Sequence, residues 1–236
     1  MQDFLRYWGK AKPNKESNGA PCHLLAYHSL DVAAVAFCLT DSSSAKGQVI
    51  ASALGIESTQ FQSIFTFLLA IHDLGKFSQS FQALAKPELE LLRVPDSTYS
   101  YDVPGGHAAL GMLLWKRGTS FKENKSDVCS WPEQGPLPRY ARRSLETMLE
   151  TSFGHHGQPV ILGNRSVDDD FLPVDENAAF EFTKEVARLI QPKWPVALME
   201  KQSWIPLLKK ISWQLAGLAV LADWLGSDQS VFSYVT

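Results

Sequence analysis

The sequence predicts an all-α protein, a single globular helical domain with long loops. Apolar residues recur at helical spacing in several long segments, no stretch alternates as a strand ladder would, and no internal repeat is visible. With 236 residues, of which 45% are hydrophobic and 11% aromatic, the chain can bury a substantial core. One domain over residues 1–236 is the simplest expectation, although length alone also allows two small ones.

The first half of the chain contains three predicted helices, over residues 23–39, 59–74 and, more briefly, 77–85. In the first of them Leu24, Leu25, Leu30 and Ala34 recur at helical spacing, and a serine-rich stretch at 41–44 ends it. Gly75 stands where a left-handed residue commonly ends a helix, and this predicts such a cap after the second one. Residues 87–104 are predicted to form a loop.

The second half is predicted to contain helices over residues 104–115, 138–151, 175–190 and 206–225. Pro104 and Pro138 are suited to the first turn of a helix, where no amide proton is needed. The polar, proline-rich stretch 118–138 is predicted to be a surface insertion, and residues 153–157 a glycine-flanked turn.

The net charge of −3 excludes a strongly basic, DNA-coating protein. Two local basic clusters remain, and each is most simply a solvated face, although either could attract nucleic acid. They contain Arg6, Lys10, Lys12 and Lys15, and Arg139, Arg142 and Arg143.

Three cysteines without paired spacing, and an N-terminus without a signal peptide, indicate a reduced, cytoplasmic compartment. The longest apolar stretch, near residues 215–222, is far shorter than a membrane span, so no membrane partner is expected.

Histidines and aspartates form the main functional pattern. Most of the histidines lie beside an apolar helix or a glycine-rich turn, and imidazole is the commonest nitrogen ligand for transition metals. The adjacent pair His72-Asp73 would project about 100° apart from a helix, so the carboxylate could bridge two neighbouring ions. The sequence therefore predicts a metal site with the ligands His28, His72, Asp73, His107, His155, His156 and Asp223.

Simpler roles remain open for several of these residues. His28 could be a core histidine bonded to a carbonyl, His107 a capping or packing residue, and the pair at 155–156 part of a turn. Asp223 lies on an apolar helix, where an unpaired carboxylate would be costly to bury, so a metal or cationic partner is expected.

Three polar residues near the ligands are predicted to assist them. Asp31, one turn after His28, could hydrogen-bond and orient that histidine, or be a plain exposed carboxylate. His23 projects from a different side and is interpreted as structural or as a support for the ligands. Lys76 could reach a phosphate oxygen or protonate a leaving group, or be an ordinary surface lysine.

These motifs together resemble the HD phosphohydrolase superfamily and, within it, the HD nuclease domain of the CRISPR-associated type I helicase-nuclease. The similarity extends over nearly the whole chain. The Gly-His-His-Gly and Ala-Asp-Trp-Leu-Gly-Ser segments resemble the subtype that works with Cascade more than generic HD proteins. The segments that carry it are Tyr7-Trp8-Gly9-Lys10, His23 to Ala33, Ile71 to Phe77, Gly154-His155-His156-Gly157 and Leu221 to Ser227.

The resemblance implies a two-metal nuclease with Asp73 and Lys76 as catalytic residues. One ion would be held by His28, His72, Asp73 and Asp223, and the other by Asp73, His107, His155 and His156. So many imidazole ligands favour iron, manganese, cobalt, nickel or zinc, although magnesium remains open.

The resemblance also implies a substrate and partners. The expected substrate is the displaced single-stranded DNA of an invader, cut as an endonuclease or an exonuclease in antiviral defence. No Gly-x-x-x-x-Gly-Lys-[Ser/Thr] loop is present, so the ATP-driven helicase is expected outside this sequence. The end of the chain soon after Asp223 favours a domain of a longer helicase fusion over a protein with a separate helicase chain.

Two other functions remain as alternatives. An HD-type phosphohydrolase would act on nucleotides or another small phosphate ester. A degenerate, non-enzymatic module would dock onto the interference complex, but the presence of every ligand type argues against it. Several tryptophans could stack on DNA bases, although most are expected in the core, namely Trp8, Trp131, Trp194, Trp204 and Trp224.

Overall fold

A computed structural model describes residues 2–12, 20–96, 98–132 and 135–234. Eleven α-helices are formed by the described residues: α1 Leu25–Leu39, α2 Ala45–Leu54, α3 Ser58–Ala70, α4 Gln79–Gln82, α5 Gly106–Arg117, α6 Thr119–Glu123, α7 Lys125–Val128, α8 Arg139–Phe153, α9 Pro173–Ile190, α10 Val196–Met199 and α11 Trp204–Gly226. Short 3-10 helices cover Asp3–Arg6, Leu74–Phe77 and Val167–Asp169. The predicted all-α class is confirmed.

The centre of the fold is helix α1, which packs against α3 on one side and α11 on the other. Helix α11 also packs against α8, and these four long helices contribute many of the core residues. Helices α1 and α11 approach closely at Gly226, where an added Cβ would lie 2.8 Å from the Cα of Val32. This close contact brings the end of α11 beside the middle of α1.

A small antiparallel sheet adds to the helices, although no strand was expected. Strand β1 is Trp8–Ala11 and strand β2 is Cys22–Leu24, with an irregular register between Trp8 and Lys10. Strand β2 leads directly into α1. Two such short strands do not show the long alternation that identifies a strand in sequence.

Three sequence-based expectations for the helices and loops were wrong. Helix α2 was not predicted, and only a few of its ten residues are buried, so its apolar stripe is weak. The stretch 118–138 is not a surface insertion, because it contains α6 and α7 and buries Phe121, Val128, Cys129 and Trp131. Helix α5 begins at Gly106, after Pro104, because Gly105 adopts a left-handed φ of 82° as its N-cap.

Helix α11 is longer than the apolar stretch recognised in the sequence. It has 23 residues and, by length and composition alone, could cross a membrane. The core helix of a folded protein passes the same test, and α11 packs against α1, α2 and α8. Its inward residues, Leu208, Ile211, Leu215 and Leu218, belong to the main core.

Candidate metal centre

The predicted ligands come from five separate elements that meet at one place. His28 belongs to α1, His72 and Asp73 to the turn after α3, His107 to the first turn of α5, His155 and His156 to the turn after α8, and Asp223 to the end of α11. Their ligand atoms form three overlapping groups, each within 4.8 Å: His107, His155 and His156; His28, His72 and Asp73; His72, His155 and Asp223.

Asp73 lies between two sets of imidazoles. Its Oδ2 atom is 3.2 Å from His28 Nε2 and 3.3 Å from His72 Nε2. Its Oδ1 atom is 3.2 Å from His107 Nε2 and 3.7 Å from His155 Nε2. The two oxygens of this carboxylate therefore face different groups of nitrogen ligands, as a bridging carboxylate would.

The outer members complete each set. Asp223 Oδ1 lies 3.5 Å from His28 Nε2 and 3.7 Å from His72 Nε2. On the other side, His156 Nε2 is 2.9 Å from His107 Nε2. The seven predicted ligands therefore lie together, and His155 lies within reach of both sets, because it also groups with His72 and Asp223.

Backbone carbonyls fix the orientation of two ligand rings. His72 Nδ1 lies 2.6 Å from the carbonyl oxygen of Leu69, and His155 Nδ1 lies 3.0 Å from that of Ser152. Because a carbonyl can only accept, each Nδ1 carries the proton and donates it. In the neutral ring, each Nε2 then carries the lone pair and faces the centre, the state that binds a metal.

Several buried polar atoms of the centre have no hydrogen-bond partner of acceptable geometry among the described residues. They are both ring nitrogens of His28, Nε2 of His72 and both carboxylate oxygens of Asp73. Burying such atoms without a partner is costly, and a divalent cation would satisfy the acceptors together. The carbonyl-bonded alternative for His28 is therefore wrong, and the donor set fits a metal with nitrogen and oxygen ligands.

The charges of the centre also suit a cation. Burial by itself would raise the pKa of Asp73, but His72 and Lys76 outweigh it and hold that pKa well below its usual range. Asp223 behaves similarly: burial opposes the shift, and the nearby imidazoles of His28 and His72 lower its pKa. Both carboxylates are therefore ionised at neutral pH.

Most of the imidazoles are held in the neutral form. Burial is the largest cause that lowers the pKa of His28, His107 and His155. Burial also acts on His72, but the neighbouring Asp73 and Asp223 outweigh it and raise that pKa. Neutral imidazoles are ready to ligate without first losing a proton.

Lys76 is a buried member of the cluster, so the surface-lysine alternative is wrong. Its side chain is 5% exposed, and Nζ lies 2.6 Å from Asp73 Oδ2. The ammonium also donates to the carbonyl of Gly9 at 3.3 Å and lies 5.5 Å from the ring centroid of Phe81. Its long stem does not swing freely from the surface, because contacts on three sides hold the charge inside the centre.

Gly75 serves a different purpose from the predicted cap. It is absent from the described residues that have positive φ, so the expectation of a left-handed conformation was wrong. An added Cβ would lie 1.8 Å from the carbonyl oxygen of His107 and 2.7 Å from the amide nitrogen of Gly111. The glycine lets the turn that carries His72 and Asp73, called the metal turn below, pack directly against the start of α5.

Asp31 contacts His23 and does not orient His28. Its Oδ2 atom lies 2.7 Å from His23 Nε2, while both ring nitrogens of His28 lack a hydrogen bond. The prediction for Asp31 was wrong because β2 runs directly into α1 and folds His23 back beside that helix. The His23 ring, whose centroid is 6.4 Å from that of His28, also stacks on Tyr234 at 5.3 Å.

Asp175 is a buried carboxylate that the sequence did not single out. It accepts from Tyr7 Oη at 2.6 Å and from Gln79 Nε2 at 2.8 Å, and so ties the residues after the metal turn to α9 and the N-terminal segment. Its partners lie 168 and 96 residues away in sequence. An acidic residue in a helical first turn gives no sequence signal for such contacts.

The HD domain of Cas3 is the family whose model matches this sequence, over residues 8–232. The chain belongs to this family. The matched range includes all seven predicted ligands, and the match confirms the resemblance recognised from the motifs. The HD-type helical fold and the nuclease class of the family follow from this membership.

A curated relative belongs to the same family of proteins. The CRISPR-associated endonuclease/helicase Cas3 of Escherichia coli strain K12 is 28% identical over 238 residues, which cover 95% of the chain and 26% of that protein. The chain thus spans about a quarter of the length of this relative.

The structural relatives share the fold. The cas3 HD domain of Thermus thermophilus, crystallised in the presence of Ni²⁺, aligns with a TM-score of 0.59 and 22% identity over 99% of this chain and 81% of its own. A chain of a CRISPR RNA-guided surveillance complex in a pre-nicking state aligns with a TM-score of 0.62 and 21% identity, over 97% of this chain and 25% of its own.

Proposed function

We propose that this HD domain is a metal-dependent nuclease that hydrolyses the phosphodiester bonds of single-stranded DNA in CRISPR interference. The observation that carries the proposal is the position of Asp73, whose two oxygens face two different sets of imidazole nitrogens. Membership in the Cas3 HD family supports the same class of chemistry.

We assign the ligands to two divalent ions. His28, His72, Asp73 and Asp223 would hold one, and Asp73, His107, His155 and His156 the other. Such nitrogen-rich sets favour iron, manganese, cobalt, nickel or zinc over magnesium, which prefers oxygen ligands. The nickel present in crystals of the Thermus thermophilus domain is compatible with this order of preference.

The residues of the centre have distinct roles in the proposed reaction. Two divalent ions held by these residues would lower the pKa of a bound water and neutralise charge on the scissile phosphate. Asp73, whose oxygens face both sets of imidazoles, would contribute a ligand to each ion. Lys76, whose ammonium lies beside Asp73, is the one cationic side chain buried in the centre among the described residues, and it can stabilise charge or donate a proton to the leaving oxygen.

An extended single strand suits the shape of the centre. Asp73 and His72 are buried, whereas His156 is exposed and the side chains of His107 and Asp223 are 14% and 15% exposed, so solvent reaches the centre at these three residues. A flexible strand can bring its backbone into this opening more easily than a stiff duplex. Of the five tryptophans considered for base stacking, four are buried and only Trp224, next to Asp223, is exposed.

We further infer that the domain acts with a helicase and with an RNA-guided surveillance complex of the Cascade type, in the cytoplasm. A duplex would then be opened before cleavage, and the displaced strand of an R-loop would be the natural substrate. The name of the Escherichia coli relative, an endonuclease/helicase, and the pre-nicking complex among the structural relatives support these partners.

The direct test compares three substrates with the same metal-loaded protein: labelled single-stranded DNA, the matching duplex, and a nucleoside monophosphate. We expect cleavage of the single strand without ATP, resistance of the duplex and no turnover of the monophosphate. Asp73→Asn should abolish cleavage, whereas Asp41→Asn, at an aspartate in the loop after α1 that accepts from the Ser43 amide, should not. Comparable turnover of the monophosphate would instead support a small-molecule phosphohydrolase.

A further inference from the structure

Lys10 stands at the rim of the metal centre. Its Nζ lies 3.8 Å from Asp223 Oδ1, and its side chain is 31% exposed. Lys10 therefore has one side towards the buried ligands and one side towards solvent.

The strand that carries Lys10 is fixed on the metal turn by Gln82. Gln82 Oε1 accepts from the Trp8 amide at 3.2 Å, and Gln82 Nε2 donates to the Trp8 carbonyl at 3.0 Å. The same Nε2 donates to the Lys76 carbonyl at 2.8 Å, and the Trp8 indole donates to the Gln82 carbonyl at 3.3 Å. One buried amide thus joins β1 to the segment that follows His72 and Asp73.

Gly9 fixes the strand from the other side. An added Cβ would lie 2.9 Å from the Cα of Leu25 and 3.3 Å from the Cβ of His28, so β1 packs directly on the start of α1. The Gly9 carbonyl also accepts from Lys76 Nζ. With neighbours on both sides, the backbone at residues 8–10 cannot move far, and the Lys10 side chain starts from a defined position.

The contact with Asp223 gives little reason for a lysine at this position. At 3.8 Å and with the lysine side chain 31% exposed, the ion pair is long and open to solvent, so it stabilises the fold little. When the carboxylate of Asp223 binds a metal ion, it neutralises less of the positive charge of Lys10. The Lys10 ammonium can then bind another anion. A phosphodiester that enters the centre brings such an anion to the side where Lys10 is exposed.

We propose that Lys10 binds a phosphate of the substrate strand next to the scissile bond. The contact is a charge-assisted hydrogen bond from Nζ to a non-bridging oxygen, so it positions the strand without reading its bases. This inference rests on the proposed nuclease function. It makes Lys10 a substrate-binding residue, in contrast to Lys76, which lies inside the ligand cluster.

The test uses single-turnover cleavage of labelled oligodeoxythymidine by the full chain loaded with Mn²⁺. Lys10→Ala should raise the protein concentration for half-maximal rate roughly tenfold or more while the maximal rate changes little. Lys10→Arg should restore most of the binding, because the charge remains. Lys46→Ala, which removes an exposed lysine on α2, is the matched control and should behave like the unsubstituted protein.

The dependence on salt gives a second, independent readout. Removing one phosphate contact should reduce the slope of log affinity against log salt by about 0.7 for a single strand. Metal content, measured by mass spectrometry, should be equal in all variants. An unchanged half-maximal concentration and salt slope for Lys10→Ala would overturn the proposal.

Two other outcomes also count against the proposal and are distinguishable from each other. If Lys10→Ala lowers metal content and added Mn²⁺ restores its rate, Lys10 supports Asp223 and does not bind the strand. If the unsubstituted protein cleaves no DNA with Mn²⁺, Ni²⁺, Co²⁺ or Fe²⁺, the nuclease function itself has failed, and the Lys10 proposal with it.

Discussion

Gly75 lies so close to His107 that an added methyl carbon would overlap the His107 carbonyl oxygen, at a distance of 1.8 Å. The contact joins the turn that carries His72 and Asp73 to the first turn of α5. Two parts of the centre are therefore held together by backbone packing as well as by the ligands. A metal that binds both sets finds them already in place, which reduces the ordering cost of binding.

Gly75→Ala should therefore disrupt the packing of α5 against the turn that carries His72 and Asp73. The methyl group must push α5 away from the metal turn, and overpacking of this kind costs about 1–3 kcal/mol or more. Thermal unfolding and metal content should both fall. Gly163→Ala is the matched control, because a Cβ there meets no atom within 4 Å, and it should leave both quantities unchanged. A normal Tm and normal metal content for Gly75→Ala would show that the turn and α5 can separate without loss.

Much of the centre could be predicted from the sequence because its ligands occur in short, distinctive motifs. His72-Asp73 with Gly-Lys, and His155-His156 between glycines, are recognisable without knowledge of the fold. The burial of Lys76 was not predictable, since its partner Gly9 is 67 residues earlier in the sequence. The link from Gln82 to Trp8 spans 74 residues and depends on the same approach of β1 to the metal turn.

In the fold, too, features set by local sequence were predicted, and features set by contacts between distant residues were not. Helices with strong apolar periodicity, such as α3 and α9, were predicted close to their observed bounds. The stretch 118–138 was misinterpreted because its few apolar residues are buried by distant partners. Trp131 packs near Trp194, and the Trp194 indole donates to the Cys129 carbonyl at 2.6 Å. Polar composition alone gives no signal of such contacts.

Removal of Asp73 should be more damaging than removal of any one histidine. Asp73 faces both ligand sets, whereas His107 contacts only one of its oxygens. Asp73→Ala should abolish single-turnover cleavage at saturating metal, and His107→Ala should leave a measurable residual rate. Equal, mild losses for the two variants would show that Asp73 does not join the two sets.

The purified protein should contain two divalent ions per chain and should lose Tm in the presence of a chelator. Among the described residues, buried ring nitrogens of His28 and His72 have no hydrogen-bond partner, and a metal bound to the folded state would supply one at the centre. A ligand at one hundred times its dissociation constant stabilises the folded state by about 2.7 kcal/mol. Elemental analysis and thermal unfolding before and after EDTA measure both effects. A stoichiometry near zero in fully active protein would contradict the assignment.

Trp224 should contribute to single-strand binding, and the chain provides a close control for it. Trp213 lies on the same helix and has nearly the same exposure, 75% against 76%. The two are eleven residues apart, about 16 Å along the helix axis, so only Trp224 is next to Asp223. Stacking of a base on an aromatic ring contributes about 1–3 kcal/mol, so Trp224→Ala should weaken binding of oligodeoxythymidine roughly fivefold or more. Equal effects of Trp224→Ala and Trp213→Ala would indicate no special role for the residue beside the centre.

Lys76 is the residue whose role most needs separation from its structural contacts. Its ammonium is buried against Asp73 Oδ2, so a variant must keep the packing of the stem. Lys76→Met does so without the charge. We expect it to lower the maximal cleavage rate by roughly 10²-fold, the size of a typical acid–base contribution. Metal content should not fall, because an ammonium is not a ligand and its removal leaves the centre less positive.

Lys76→Arg then distinguishes charge from proton donation. A guanidinium keeps the positive charge but does not give up a proton at neutral pH. Partial rescue by arginine would indicate that Lys76 stabilises charge on the phosphate, and no rescue in a folded variant with normal metal content would indicate proton donation to the leaving oxygen. The Tm of each variant serves as the control for folding. A near-normal rate for Lys76→Met would contradict both roles and would leave the buried ammonium as a structural partner of Asp73 alone.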